Sequence, residues 1–330
     1  MGIFCQMKTN SSIHHATRRL GFAVRGVVGA LLFCHAKAQG AVAGTRDTMF
    51  REIPKDGDSS VWSVVLQPDG HILVGVTRVN GQAVTSIVRL FPDGMPEPLA
   101  TFNPGTGPNN EVSSIAVQPD GRIILAGSFT AVNGEVRNRI ARLLPDGTLE
   151  STTTFNPGTG VDGRVGPIAL QPDGKILIAG SFTAVNGLPR PGVARLLTDG
   201  TVEPLSSFDV GSGPSGEIFT MTLQEDGKIF LGGPSSVFNG QPPIRILPNG
   251  ALDTAFQTNF SANDFVHTSI MTPENTLRVG GKFLVPVPPS GQLLSGVVRT
   301  NYDGGGAVRW LPLGSDPDNG YVNTLAACRA

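Results

Sequence analysis

Apolar and polar positions recur along this chain with a short period set inside a long one. In Val112 to Val117 and in Val165 to Leu170, apolar residues take the first, fourth and sixth places with small residues between them, which predicts a packed strand. A tetrapeptide turn follows. Beyond it runs an unbroken apolar stretch, Ile72-Leu73-Val74, Ile123-Ile124-Leu125-Ala126 or Ile176-Leu177-Ile178-Ala179, the pattern of a strand covered on both faces. A third strand is predicted at Ile87 to Leu90, Ile140 to Leu143, Val193 to Leu196, Ile244 to Leu247 and Val297 to Arg299, each leading towards Asp-Gly or Asn-Gly. A short fourth strand is predicted to end at Phe102, Phe155, Phe208, Phe256 or Trp310.

The long period is carried by turn residues. Gln67-Pro68-Asp69-Gly70 returns as Gln118-Pro119-Asp120-Gly121, Gln171-Pro172-Asp173-Gly174 and Gln224-Glu225-Asp226-Gly227, at intervals of 51, 53 and 53 residues. A weaker copy, Thr272-Pro273-Glu274-Asn275, follows after 48. Pro fixes φ, Asp accepts from nearby backbone amides, and Gly takes the positive φ of a tight turn. Asn-Gly at 80–81, 133–134, 186–187 and 239–240 predicts hairpins whose twist matches their strands. Units begin near Val61, Val112, Val165, Ile218 and Val266, with a partial unit from Val322 and with Asp47 to Phe50 as the end of another before the first. Four short strands per unit, apolar on both faces, are best buried by radial stacking. The predicted fold is therefore all-β, a β-propeller of four-stranded blades, with five full repeats plus partial units at both termini. A linear β-solenoid and a pair of packed β-sandwiches are the competing architectures; a solenoid has shorter coils and lacks the repeated hairpin turns.

The first 38 residues depart from this pattern. They hold five basic side chains, Lys8, Arg18, Arg19, Arg25 and Lys37, no Asp or Glu, an apolar stretch from Gly26 to Phe33, and the small-x-small sequence Ala36-Lys37-Ala38. This reads as an export signal at 1–38 followed by one repeat domain at 39–330. The apolar stretch is too short to span a bilayer. Without the leader the basic count falls from 25 to 20 against 26 acidic residues, so the formal net charge moves from −1 to −6. Nucleic acid is not an expected partner, because phosphate-dominated binding needs a basic face. Cys5 and Cys34 lie in the leader; Cys328 is left alone, which excludes an intrachain disulfide in the remainder. The 43 Gly and 26 Pro concentrate at the repeated turns.

The run Gln-Pro-Asp-Gly-Lys-Ile-Leu-Ile-Ala-Gly-Ser-Phe-Thr-Ala-Val-Asn-Gly at 171–187, followed by Val193-Ala194-Arg195-Leu196, resembles the delta-60 repeat of bacterial surface and secreted proteins. The resemblance extends over 46–328 and weakens in the fifth unit, where Val285-Pro286-Val287-Pro288-Pro289 replaces the Asn-Gly turn. It implies a β-propeller scaffold and carries over no catalytic residues.

Candidate chemistry is sparse. Only His71 and His267 lie outside the leader. His71 follows an Asp-Gly turn where other units carry Arg122, Lys175 and Lys228, and His267 follows Val266 where they carry Trp62, Ser113 and Gly166. A His-dependent nucleophile or a zinc site needs convergent His, Cys or carboxylate groups, and none is predicted. Asp69, Asp120, Asp173 and Asp226 precede Gly in the repeated turn, where Asp bonds local backbone. Arg89, Arg142, Arg195, Arg245 and Arg299 supply one cation per unit. They suit either closure of a strand end on carbonyls or a carboxylate or presentation of their planar forks to an anionic ligand. Asp56, Asp58, Asp316 and Asp318 alternate in equivalent linkers and are the candidate calcium ligands, although the full spacing of an EF-hand loop is missing. Asn103-Pro104-Gly105-Thr106-Gly107 lacks the Lys-Ser or Lys-Thr that a phosphate loop requires.

No catalytic residue is predicted, and no cofactor beyond that calcium. The expected function is a non-enzymatic secreted or cell-envelope scaffold binding a protein or a polysaccharide through rim loops, where repeat units differ. Gly187 to Gly192, Gln241 to Pro243 and Val285 to Gly291 are the candidate loops. Trp62, Trp310, Tyr302 and Tyr321 offer little aromatic surface for stacking sugars, which puts protein partners ahead of glycans. A channel-based lyase or hydrolase acting on a polysaccharide is an alternative by analogy of fold alone. Another is an incomplete portion of a larger adhesin-like repeat protein.

Overall fold

The computed structural model describes residues 4–6, 61–76, 87–214, 216–234, 244–256, 265–272, 275–284, 293–300, 309–312 and 325–327. Every regular element among them is a strand. The chain divides into two compact units, one of residues 19–203 and one of residues 1–18 with 204–330.

In the 19–203 unit three antiparallel sheets repeat one order. Val61–Leu66 pairs with Ile72–Val76, and that with Ile87–Leu90. Val112–Val117, Ile123–Gly127 and Ile140–Leu143 form the second sheet, and Arg164–Leu170, Ile176–Ser181 and Val193–Leu196 the third. The middle strands are the unbroken apolar runs, and Ile123 to Ala126 and Ile176 to Ala179 are fully buried. Neighbouring sheets approach one another through their first strands, the arrangement of propeller blades. The layers between sheets are closed by the expected phenylalanines. Phe155 joins Ile124 and Ile140 to Val165, Ile176 and Ile178; Phe102 joins Leu73 and Ile87 to Ile115, Ile123 and Leu125.

The other unit contains the sheet Thr220–Leu223, Ile229–Gly232, Ile244–Ile246 and a four-stranded sheet, Phe265–Met271, Leu277–Leu284, Leu293–Thr300, Arg309–Pro312. Their first strands again lie side by side. Leu325–Ala327 lies beside Phe265–Met271 and pairs antiparallel with Phe4–Gln6.

The fourth strand differs from expectation. Outside the sheet that starts at Phe265 it shrinks to one bridge per sheet: Leu90 to Pro96, Leu143 to Leu149, Leu196 to Val202 and Ile246 to Leu252. The local cause is legible. Pro98 and Pro204 have no N–H to continue a ladder, and their carbonyls accept from Phe102 N and Phe208 N at 3.1 Å. In the second sheet Ser151 Oγ accepts from Thr153 N. A turn, not a strand, delivers Phe102, Phe155 and Phe208 to the core.

The repeated tetrapeptides behave as their chemistry requires. Gln118 N donates to Arg122 O at 2.8 Å and Gly121 N to Gln118 O at 2.9 Å, a three-residue hairpin closed by Gly121 at φ 84°. Asp120 Oδ1 accepts from Arg122 N at 3.0 Å. Asp69, Asp173 and Asp226 do the same for His71, Lys175 and Lys228. Asn133 and Gly134, at φ 53° and 78°, join Ala131–Val132 to Glu135–Val136, and Asn186 and Gly187 join Ala184–Val185 to Leu188–Pro189. Asn80-Gly81 and Asn239-Gly240 lie outside the described residues.

Candidate functional site

Strand direction sorts the connections of the 19–203 unit onto two faces. Pro-Asp-Gly turns and the Asp-Gly turns after the third strands form a turn face. First-strand beginnings, middle-strand ends and Asn-Gly hairpins form the opposite, linker face. Asn133 Oδ1 accepts from Gly107 N at 2.8 Å, and Asp162 Oδ1 from Thr183 N and Ala184 N, both at 2.9 Å. Linkers and hairpins are thus tied together there.

Arg89, Arg142 and Arg195 occupy the turn face. Arg142 grips Glu150, eight residues on, with Nε to Oε2 at 2.6 Å and Nη2 to Oε1 at 2.8 Å. Its guanidinium lies 4.5 Å over the Phe155 ring, and Nη1 donates to Thr198 O of the next sheet at 2.7 Å. Arg89 repeats this with Glu97, Phe102 and Pro145 O, and Arg195 pairs with Glu203. In the other unit Arg245 pairs with Asp253 at 2.8 Å and lies over Phe256. The acidic partner comes eight residues after each arginine; the turn residues four residues on, Asp93, Asp146, Asp199 and Asn249, instead accept from backbone N–H groups. Burial raises the Glu150 carboxyl, but hydrogen bonds from Arg142 and Thr154 outweigh it and hold the group below its ordinary 4.5. Glu203 follows the same balance with Arg195 and Lys175. The hydrogen bond from Arg89 leads in lowering Glu97.

The first strands of both units carry a repeated fault, which in the 19–203 unit lies on the linker face. Pairing of the first strand with the middle strand slips between Val61 and Ser63, Val112 and Ser114, Val165 and Ile168, and Val266 and Thr268. A glycine on the middle strand makes room for three of these slips. A Cβ on Gly127 would collide with Glu111 O, on Gly180 with Arg164 O, and on Gly281 with Phe265 O. Only glycine permits such backbone approach, and the resulting bulge re-aims the residue it carries. The scaffold repeats while the re-aimed residue changes: Trp62, Ser113 and Gly166 in one unit, His267 in the other.

In the 19–203 unit, Ser113 Oγ donates to Glu111 Oε1 at 2.6 Å and Arg164 Nη2 donates to the same oxygen at 2.9 Å. One carboxylate therefore links two consecutive first strands at their beginnings. Ser63 Oγ accepts from Ile115 N at 3.1 Å, which sets the first two strands in register and brings Trp62 level with Ser113. The Trp62 side chain is half exposed. In the other unit, His267 stacks on Phe219 with centroids 5.3 Å apart and planes 4° from parallel, and on Phe265 at 6.3 Å and 15°. Burial pushes the His267 imidazole below its ordinary 6.5, so it is neutral at pH 7. Thr220 Oγ1 accepts from Ser269 N at 3.0 Å, the counterpart of the Ser63 bond.

Asp56, Asp58, Asp316 and Asp318 lie outside the described residues, as do the Arg299 side chain and the loops at 241–243 and 285–291. Among the described residues no group of three or more His, Cys, Asp or Glu side chains is arranged to hold a metal ion. The Gly187 to Gly192 loop is present on the linker face, anchored by Arg190, whose Nη2 donates to Glu203 O at 2.8 Å. Glu111 and Arg164 were not singled out by the sequence, because nothing in their spacing shows that two strands 53 residues apart begin side by side.

Four stretches, 67–98, 118–152, 171–205 and 224–256, match the family described as "Domain of unknown function (DUF5122) beta-propeller". A curated relative, Polarized growth protein L1 of a Phoma species, is 29% identical over 154 residues, covering 42% of this chain; the aligned part is 10% of that protein. A solved protein from Bacteroides caccae is 14% identical with a TM-score of 0.49, covering 84% of this chain and 89% of its own. A catalytically inactive virginiamycin B lyase from Staphylococcus aureus, solved with quinupristin, is 14% identical with a TM-score of 0.47, covering 80% and 88%. The extracellular domain of a hybrid two-component system from B. thetaiotaomicron is 12% identical with a TM-score of 0.47, covering 80% of this chain and 30% of that one. The four matched stretches and the sheets stacked through their first strands make this chain a β-propeller repeat protein.

Proposed function

We propose that the protein is an exported, non-enzymatic binding scaffold whose ligand surface is the linker face. One observation carries the reading: in the 19–203 unit the bulge recurs in the first strands while the residue it presents changes from Trp62 to Ser113 to Gly166. Repeat proteins bind through positions that vary on a constant frame. The basic leader with Ala36-Lys37-Ala38 supports export. The turn face is committed to cohesion by the Arg142–Glu150 and Arg89–Glu97 clamps. The expected partner is a protein or polysaccharide of the cell surface.

Immobilised full-length protein, exposed to an envelope extract of the source cells, tests the location of the surface. Capture is expected to be lost with Trp62→Ala and retained with Lys175→Gln on the turn face. The reverse ranking would overturn the assignment.

A further inference from the structure

We infer that the start of the first strands in the 19–203 unit is a subsite for a neutral, hydroxyl-rich ring, that is, one saccharide unit of a polysaccharide. This deepens the reading of the linker face as the binding surface and rests on it. A saccharide ring has two demands: a flat apolar surface for its C–H face, and polar groups at its edge that both donate and accept. Trp62 meets the first. The residue is 50% exposed at the bulge between Val61 and Ser63. Glu111, Ser113 and Arg164 meet the second. Ser113 Oγ and Arg164 Nη2 both donate to Glu111 Oε1, which leaves Oε2 to accept from an incoming hydroxyl.

The polar set is held before any ligand arrives. Glu111 O accepts from Ser128 N at 3.0 Å, Arg164 lies opposite Ser181 in the sheet, and the pair is partly sheltered, with side-chain exposures of 29% for Arg164 and 19% for Glu111. Groups fixed in this way lose little freedom on binding. Charge narrows the ligand class. Arg164 already faces the Glu111 carboxylate, so a strongly anionic ligand would have to break an ion pair to reach the guanidinium. A neutral polyol does not. The register set by Ser63 and Ile115 brings platform and polar edge to the same level of adjacent strands.

Affinity electrophoresis of the full chain through gels containing dextran, laminarin or arabinoxylan, with polygalacturonate as the acidic control, tests the assignment. At least one neutral polymer is expected to retard the protein more than polygalacturonate does. Trp62→Ala and Glu111→Gln should each weaken retardation by about tenfold, Trp62→Phe should keep part of it, and Phe91→Ala on the turn face should change nothing. In a Trp310→Phe background, saccharide should alter Trp62 fluorescence directly. The assignment fails if no neutral polymer retards the chain, if polygalacturonate is preferred, or if Trp62→Ala binds like the parent at an unchanged melting temperature. If saccharide binding is absent but capture of a surface protein still depends on Trp62, the ligand class falls and the binding face survives. If neither depends on Trp62, both fall.

Discussion

Gly127 and Gly180 sit where a methyl group has no room, facing the carbonyl oxygens of Glu111 and Arg164 at the beginnings of their first strands. Gly134 and Gly187 carry a different demand. They occupy φ 78° and 70° with nothing near the place a Cβ would fill. An alanine at Gly127 or Gly180 must push backbone away from backbone, an overpacking that costs about 2–3 kcal/mol. At Gly134 it meets only the left-handed penalty, about 1 kcal/mol. Denaturant midpoints of Gly127→Ala and Gly134→Ala should separate accordingly, with the larger loss at the bulge. Equal losses would mean that the bulge relaxes freely and does not fix Ser113. The same comparison bears on binding, because a relaxed bulge would swing Ser113 away from Glu111, whereas the Asn-Gly hairpin would keep its tip.

At the scale of the element, the sheets are joined by a clamp of one arginine, one acid and one phenylalanine. Arg142 and Glu150 are both more than nine-tenths buried, and removing one member of such a pair leaves the other as an uncompensated charge. Glu150→Gln is expected to cost about 3 kcal/mol in urea unfolding, since Arg142 keeps its shape but loses its counter-ion. A double substitution, Arg142→Met with Glu150→Leu, should recover much of that loss; a double variant weaker than either single one would contradict it. The clamp also shows where sequence reading stopped. The periodic arginines, the Pro-Asp-Gly turns and the apolar middle strands are local signals, written within a few residues of their partners, and they were legible. The acid at the eighth place after Arg89, Arg142, Arg195 and Arg245 was visible but had no local reason to be chosen over the turn residue at the fourth. The fourth strand was overread for the opposite reason: Phe102 and Phe155 mark a core position whatever backbone delivers them, and the prolines and hydroxyls before them make that backbone a turn. The Glu111–Arg164 link joins different sheets and leaves no local trace at all.

For the whole molecule, two kinds of titrating group set the response to acid, and both make stability fall with pH. Glu97, Glu150 and Glu203 are held below the ordinary 4.5, and Asp69, Asp120, Asp162 and Asp173 below 3.8, despite the opposing effect of burial in most of them. The unfolded chain therefore takes up protons first. The stability these carboxylates contribute is complete above their unfolded values and drains away as pH falls through the folded ones. His267 acts earlier. Burial lowers its imidazole from 6.5, so the unfolded state becomes protonated while the folded state stays neutral between Phe219 and Phe265, and stability declines once pH drops below 6.5. The thermal midpoint should accordingly be level from pH 7 to 8, slope gently below 6.5, and fall steeply below 4.5. His267→Phe, which keeps a ring between its two neighbours, should erase the gentle slope and leave the steep limb in place. Glu150→Gln should do the reverse, softening the steep limb and sparing the gentle one. A gentle slope that persists in His267→Phe would assign that titration to another group, and with it would fall the account of His267 as a neutral ring held by stacking.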